Sequence, residues 1–286
     1  MSFPMSSLFV RTSSPGFFGP ATATLDWCEV NYQFSYYVAE IANSFSNLFT
    51  VYCAVYGALK IVQERMPTRF LVGYLGFALV GIGSFAFHAT LLYEAQLADE
   101  LPMVYVASMS MWLLYDDEQG FESRSLRTRC HVAFLVLFNV LFTWAYSVYR
   151  NPLLHQVVFG ILVVACAIRI FYLLRVSPVR SRIPREKRDV VFKWFAIGAI
   201  TFAFGFLIWN LDNVYCDYLT ELKVSLGHPL AFLLEGHAWW HILTALGTYY
   251  MFIGVSYITL CIKDDHRKFT MTWGYSLPYI QQLDKC

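Results

Sequence analysis

Residues 68–115 read TRFLVGYLGFALVGIGSFAFHATLLYEAQLADELPMVYVASMSMWLLY, and this stretch decides the fold. From 68 to 92 it is an apolar run long enough to cross a bilayer as a helix, which takes about 20 residues. A second run, 97–115, opens with Asp99, Glu100 and Pro102 and is apolar from 103 onward. It is the weakest of the candidate spans, kept because proline is tolerated in a first helical turn. His88 ends the first run and Asp99 begins the second. Groups of this kind are costly inside a membrane, so each needs a functional reason.

Five further windows meet the same length and polarity test: 37–62, 129–149, 153–174, 190–210 and 230–262. The expected architecture is an all-α membrane protein, a bundle of seven transmembrane helices. With 57% hydrophobic and 14% charged residues, the chain is too apolar for an ordinary soluble domain. Its net charge of +1 excludes a broad electrostatic attraction to nucleic acid. Residues 1–20 lack a basic flank followed by an apolar stretch, so the first span is expected to do its own targeting. No repeat or long linker divides the chain. One domain, 1–286, is expected, made of an N-terminal segment 1–36, the bundle 37–262 and a tail 263–286 that is only partly ordered.

Lysine and arginine set the orientation. With seven spans, the connections on one side, together with the tail, hold 17 of the 21 basic residues. The other side holds Arg11, Arg150 and Lys223, and Arg169 lies within a span. The N-terminus is therefore expected to be luminal or extracellular and the C-terminus cytosolic. Cys28 and Cys216 both fall on the oxidising side, where theirs is the one pairing available, two free thiols being the alternative. Cys130, Cys261 and Cys286 fall on the cytosolic side.

The seventh window carries His237-Ala-Trp-Trp-His241, two imidazoles one helical turn apart on one face. The second carries Ser84 and His88 at the same spacing. Given the alternating directions of the spans, His88, His237 and His241 share one depth in the luminal half, with Ser84 and Asp99 beside them. Three neutral imidazoles with a fourth position open to water are the ligand pattern of a catalytic zinc site. Asp99 is suited to move a proton and Ser84 to donate a hydrogen bond to an oxyanion. Spacing alone identifies neither the metal nor the chemistry.

A second polar cluster, Asp26-Trp27-Cys28-Glu29-Val30-Asn31 with Glu40 following inside the first span, is dense in hard oxygen donors of the kind calcium prefers. Its spacing is not that of an EF-hand loop, and a solvated acidic turn at a helix N-terminus accounts for it equally well.

Taken together these motifs resemble the alkaline ceramidases, within a larger group of seven-span hydrolases that includes the adiponectin-receptor-like proteins. The resemblance rests on Gly19-Pro20, Thr24 through Glu29, Ser44, Ser46-Asn47-Leu48, Gly81 through Ser84, Phe87-His88, Asp99 through Met103, Trp209-Asn210, Asp212-Asn213 and His237 through Leu243. It runs in one order through about residues 18–255 and is most similar to the phytoceramidase-type branch.

The resemblance implies zinc held by His88, His237 and His241, with Ser84 and Asp99 at the reacting water. It implies calcium held by Asp26, the Trp27 carbonyl, Glu29, Asn31 and Glu40, and a Cys28–Cys216 disulfide. The implied reaction is hydrolysis of the ceramide N-acyl amide to a sphingoid base and a fatty acid. The substrate would be ceramide, dihydroceramide or phytoceramide, and the enzyme a monomer in endoplasmic reticulum and Golgi membranes. The alternative is a seven-span receptor of the adiponectin-receptor type, with a structural or weakly hydrolytic zinc and the opposite orientation.

Overall fold

The computed structural model describes residues 16–122 and 125–283, so Arg11, Arg124, Lys285 and Cys286 lie outside the described residues. Seven long helices form the bundle. They are α1 (Ile41–Gln63), α2 (Thr68–Thr90), α3 (Tyr93–Tyr115), α4 (Leu126–Tyr149), α5 (Pro152–Arg175), α6 (Arg185–Val214) and α8 (Gly236–Lys263). A short helix, α7 (Cys216–Leu226), fills the connection between α6 and α8, where the sequence suggested only a loop. Local chemistry explains several boundaries. Pro152 starts α5, and the Asn151 side chain caps it by accepting from the Leu153 backbone N–H. The window at 230–262 divides: Leu230–Leu234 is a 3-10 turn and the helix begins at Gly236.

Six of these helices are long and apolar enough to cross a membrane. The seventh, α3, carries Glu94, Asp99 and Glu100, so its composition alone does not mark it as a crossing. It starts earlier than expected, at Tyr93, and Pro102 lies inside it rather than in its first turn. Outward faces are apolar. On α4, Phe134, Leu137, Leu141 and Trp144 are each more than half exposed, as suits a lipid-facing helix.

The core centres on α8, which packs on α6 and α1 and is buried almost continuously from Phe252 to Lys263. Part of that burial comes from the tail, where two strands make the described residues not wholly helical, unlike the all-α bundle expected. Strands β1 (Phe269–Trp273) and β2 (Pro278–Gln282) pair antiparallel, Phe269 opposite Gln282. Phe269, Leu277 and Ile280 are buried in the core. Three carbonyls of this hairpin accept from helix side chains: Pro278 from the Tyr249 hydroxyl at 2.6 Å, Leu277 from Tyr56 at 3.0 Å and Phe269 from Lys187 at 2.5 Å. The Gln282 backbone N–H donates to Glu64 at 2.9 Å. Backbone groups that would otherwise be orphaned among apolar helices are satisfied in this way.

Candidate metal centre

At the other end of the bundle α2 and α8 bring three imidazoles together. The ligand-capable atoms of His88, His237 and His241 lie within 4.8 Å of one another, and all three residues are buried. His237 and His241 meet because four residues return a helix to the same face, and His88 closes the triangle from α2.

The partners of these rings decide which nitrogens are free. His88 Nδ1 stands 2.5 Å from Glu40 Oε2, an acceptor, so Nδ1 carries the proton. His88 Nε2 is then left with a lone pair, buried and without a hydrogen-bond partner. His241 Nδ1 lies 2.8 Å from the Ser46 hydroxyl, whose own proton goes to the Asn43 carbonyl at 2.9 Å. Ser46 is thus placed to accept from Nδ1, the tautomer that leaves the His241 Nε2 lone pair for a metal. Asn47 Nδ2 is 3.2 Å from the same ring nitrogen. His237 Nδ1 is a second buried ring nitrogen without a partner, and the Trp27 indole stacks on its ring with centroids 3.9 Å apart. Orphaned imidazole nitrogens are costly when buried. Two such nitrogens in a cluster of three imidazoles, with His88 and His241 contacted at Nδ1 by neighbours, fit a metal of zinc's preferences.

Ser84, buried one turn before His88, lies beside the half-buried Asp99 carboxylate. The contact depends on Gly83, since a Cβ there would stand 2.0 Å from the Ala98 carbonyl oxygen and 2.7 Å from the Asp99 nitrogen. Only glycine allows α2 and α3 to approach so closely.

The residues expected to hold calcium gather around the start of α1 but converge less tightly than the imidazoles. Glu29 is buried and accepts from the Ala42 and Asn43 N–H groups at 2.7 and 2.8 Å, occupying the helix N-terminus. Burial pushes its carboxyl up to about 8, opposed by those two donors. Asp26 is exposed and accepts from the Trp27 backbone and the Asn31 amide. Asn31 Oδ1 is a buried oxygen without a hydrogen-bond partner. Glu40, expected inside the first span, stands instead at the N-cap of α1, where it also accepts from Asn43 Nδ2 at 3.0 Å. Cys28 and Cys216 form a disulfide that ties this segment to α7. Buried Lys223 of α7 pairs with Glu235 at 2.7 Å, just before α8.

The sequence reading missed Ser46 and Asn47 as partners of His241, and Glu40 as the partner of His88. One signal was present: Glu40, Asn43, Ser44 and Asn47 form a polar stripe at helical spacing at an otherwise apolar span.

Against known proteins, the family model for ceramidases matches residues 19–281. This chain belongs to the alkaline ceramidase family. Alkaline ceramidase 3 of Mus musculus is 36% identical over 239 residues, 82% of this chain and 83% of the relative. An alkaline ceramidase of Saccharomyces cerevisiae is 32% identical over 281 residues, 94% of this chain and 87% of the relative. One from Arabidopsis thaliana is 28% identical over 235 residues, 82% of each chain. The chain is an enzyme of the ceramidase class, and the histidine centre, Ser84–Asp99 and the disulfide all lie inside the matched region.

Proposed function

We propose that this ceramidase hydrolyses the N-acyl amide of ceramide, dihydroceramide or phytoceramide to a sphingoid base and a free fatty acid, using zinc. The observation that carries this reading is the convergence of His88, His237 and His241 with ring nitrogens left unpartnered beside Ser84 and Asp99. A zinc ion held there supplies Lewis-acid polarisation of the amide and acidifies the attacking water. The residues do the rest. Asp99 takes a proton from the water and passes it to the leaving amine nitrogen. Ser84 donates to Asp99 at rest and so orients it. Once Asp99 is protonated, the Ser84 hydroxyl keeps its proton and is free to turn its hydrogen bond to the oxyanion.

The protein acts as a seven-span bundle, with α3 as the crossing that composition underrates and the histidine end facing the lumen. The excess of Lys and Arg toward the other end supports this orientation. Membranes of the endoplasmic reticulum and Golgi are the expected site. Each chain carries a complete histidine centre, so a monomer suffices. The substrate reaches the site laterally, because moving its chains through water costs about 0.8 kcal/mol per methylene. Calcium, held by Asp26, the Trp27 carbonyl, Glu29, Asn31 and Glu40, braces the N-terminal segment against the centre. Asn31 Oδ1, buried and without a partner, fits such a ligand.

The test is release of sphingoid base by purified protein from a panel of ceramides, before and after zinc chelation. Activity lost to the chelator and restored by zinc is expected; full activity in the chelator would overturn the metal assignment.

A further inference from the structure

Glu100 adjoins Asp99 on α3 but takes part in a buried polar network on the side of α4 and α5. Its carboxylate accepts from the Tyr146 hydroxyl of α4 and from Gln96 Nε2, one turn earlier, at 3.1 Å. Its backbone carbonyl accepts from His155 Nε2 of α5 at 3.0 Å, and His155 Nδ1 is 3.7 Å from its Oε1. Gln96 Oε1 accepts from the Thr24 backbone N–H and hydroxyl at 2.9 and 3.1 Å. All four residues, Gln96, Glu100, Tyr146 and His155, are buried. The Glu100 carboxylate thus ties α3 to α4 and, through Gln96, to the N-terminal segment, and its backbone carbonyl ties the same turn to α5.

The turn it holds is the one that bears Asp99. Pro102 has no N–H to give the Ala98 carbonyl, so the helix is locally short of a hydrogen bond there. On its other side the same turn lies against Gly83 of α2. A buried carboxylate in a membrane helix is retained at a cost in desolvation, and apolar packing would hold α3 to α4 without it.

We propose that Glu100 is a positioning residue for the hydrolysis, fixing the height and rotation of the α3 turn so that the Asp99 carboxylate meets Ser84. This rests on the hydrolytic reading of the histidine centre.

The experiment uses full-length protein and the variants Tyr146→Phe, Glu100→Gln and Glu100→Ala, with Tyr146→Phe repeated on an Asp99→Asn background. Turnover of ceramide, bound zinc and amide exchange of residues 95–101 are measured on each. Misplacing a reacting group costs up to about 100-fold in rate. Tyr146→Phe and Glu100→Ala are therefore expected to lower kcat by about 10- to 100-fold with KM within about twofold. Bound zinc stays at the wild-type level and exchange over 95–101 quickens. Glu100→Gln, which keeps an acceptor for Tyr146, recovers most of the rate. On the Asp99→Asn background Tyr146→Phe changes little further. Equal losses on both backgrounds, or unchanged kcat and exchange in Tyr146→Phe, would overturn the role while leaving the zinc reading intact. Tyr146→Phe carries the test if Glu100→Ala fails to fold. Absence of turnover in the wild type would overturn the hydrolytic reading and this role with it.

Discussion

Glu40 receives the Nδ1 proton of His88 at 2.5 Å, across the contact between the start of α1 and the end of α2. The same carboxylate fixes which nitrogen His88 offers to a metal and is also one of the oxygens of the proposed calcium site. Carboxylate partners of metal-bound imidazoles orient the ring and raise its basicity. Glu40→Ala is expected to weaken zinc binding by about 10- to 100-fold. Competition against a chelator of known affinity measures this; unchanged zinc affinity would separate Glu40 from the centre.

That shared role makes Glu40 a poor probe of calcium alone. Asp26→Asn removes an oxygen donor without touching the imidazoles. Calcium is expected to raise the thermal midpoint of the wild type, while Asp26→Asn shows a shift less than half as large. Zinc content should be equal in the two proteins. Identical calcium responses would remove Asp26 from the site.

Gly83→Ala puts a methyl where the α3 backbone already stands, 2.0 Å from the Ala98 carbonyl oxygen. Overpacking of this kind costs about 1–3 kcal/mol. Separation of Ser84 from Asp99 should lower kcat by about 10-fold or more. Thermal unfolding in detergent and steady-state kinetics read the two effects separately. A stable variant with wild-type kcat would show that the close approach is not needed for the chemistry.

The histidine centre was legible because two imidazoles at i,i+4 in an apolar run are costly unless they bind something, and because alternating span directions put His88 at the same depth. Other features were hidden for physical reasons. The pairing of Glu40 with His88 joins elements 48 residues apart, and no local pattern records it. Tyr146, Gln96 and His155 look like ordinary interfacial or core residues until α3, α4 and α5 are assembled around Glu100. The tail hairpin was missed because Phe269–Trp273 and Pro278–Gln282 are short and half polar. They become strands because Tyr56, Tyr249 and Lys187 supply donors from three helices.

That hairpin gives a prediction of its own. Ile280 is buried against the core at the end remote from the histidines. Ile280→Ala is expected to destabilise the protein by about 2–5 kcal/mol. Bound zinc in the fraction that remains folded should not change. Denaturation midpoints and metal analysis check this, and a midpoint equal to wild type would mean that the hairpin does not contribute to the core.

Hydrolysis at a metal held by the three histidines is the core of the proposed mechanism. Its most direct measurement is zinc per chain together with sphingoid base released from ceramide, made on wild type and His88→Ala purified from membranes side by side. One zinc per chain and turnover in the wild type, with both lost in a folded His88→Ala protein, is the expected result. Turnover by His88→Ala at the wild-type rate, or by a wild type stripped of zinc, would contradict it.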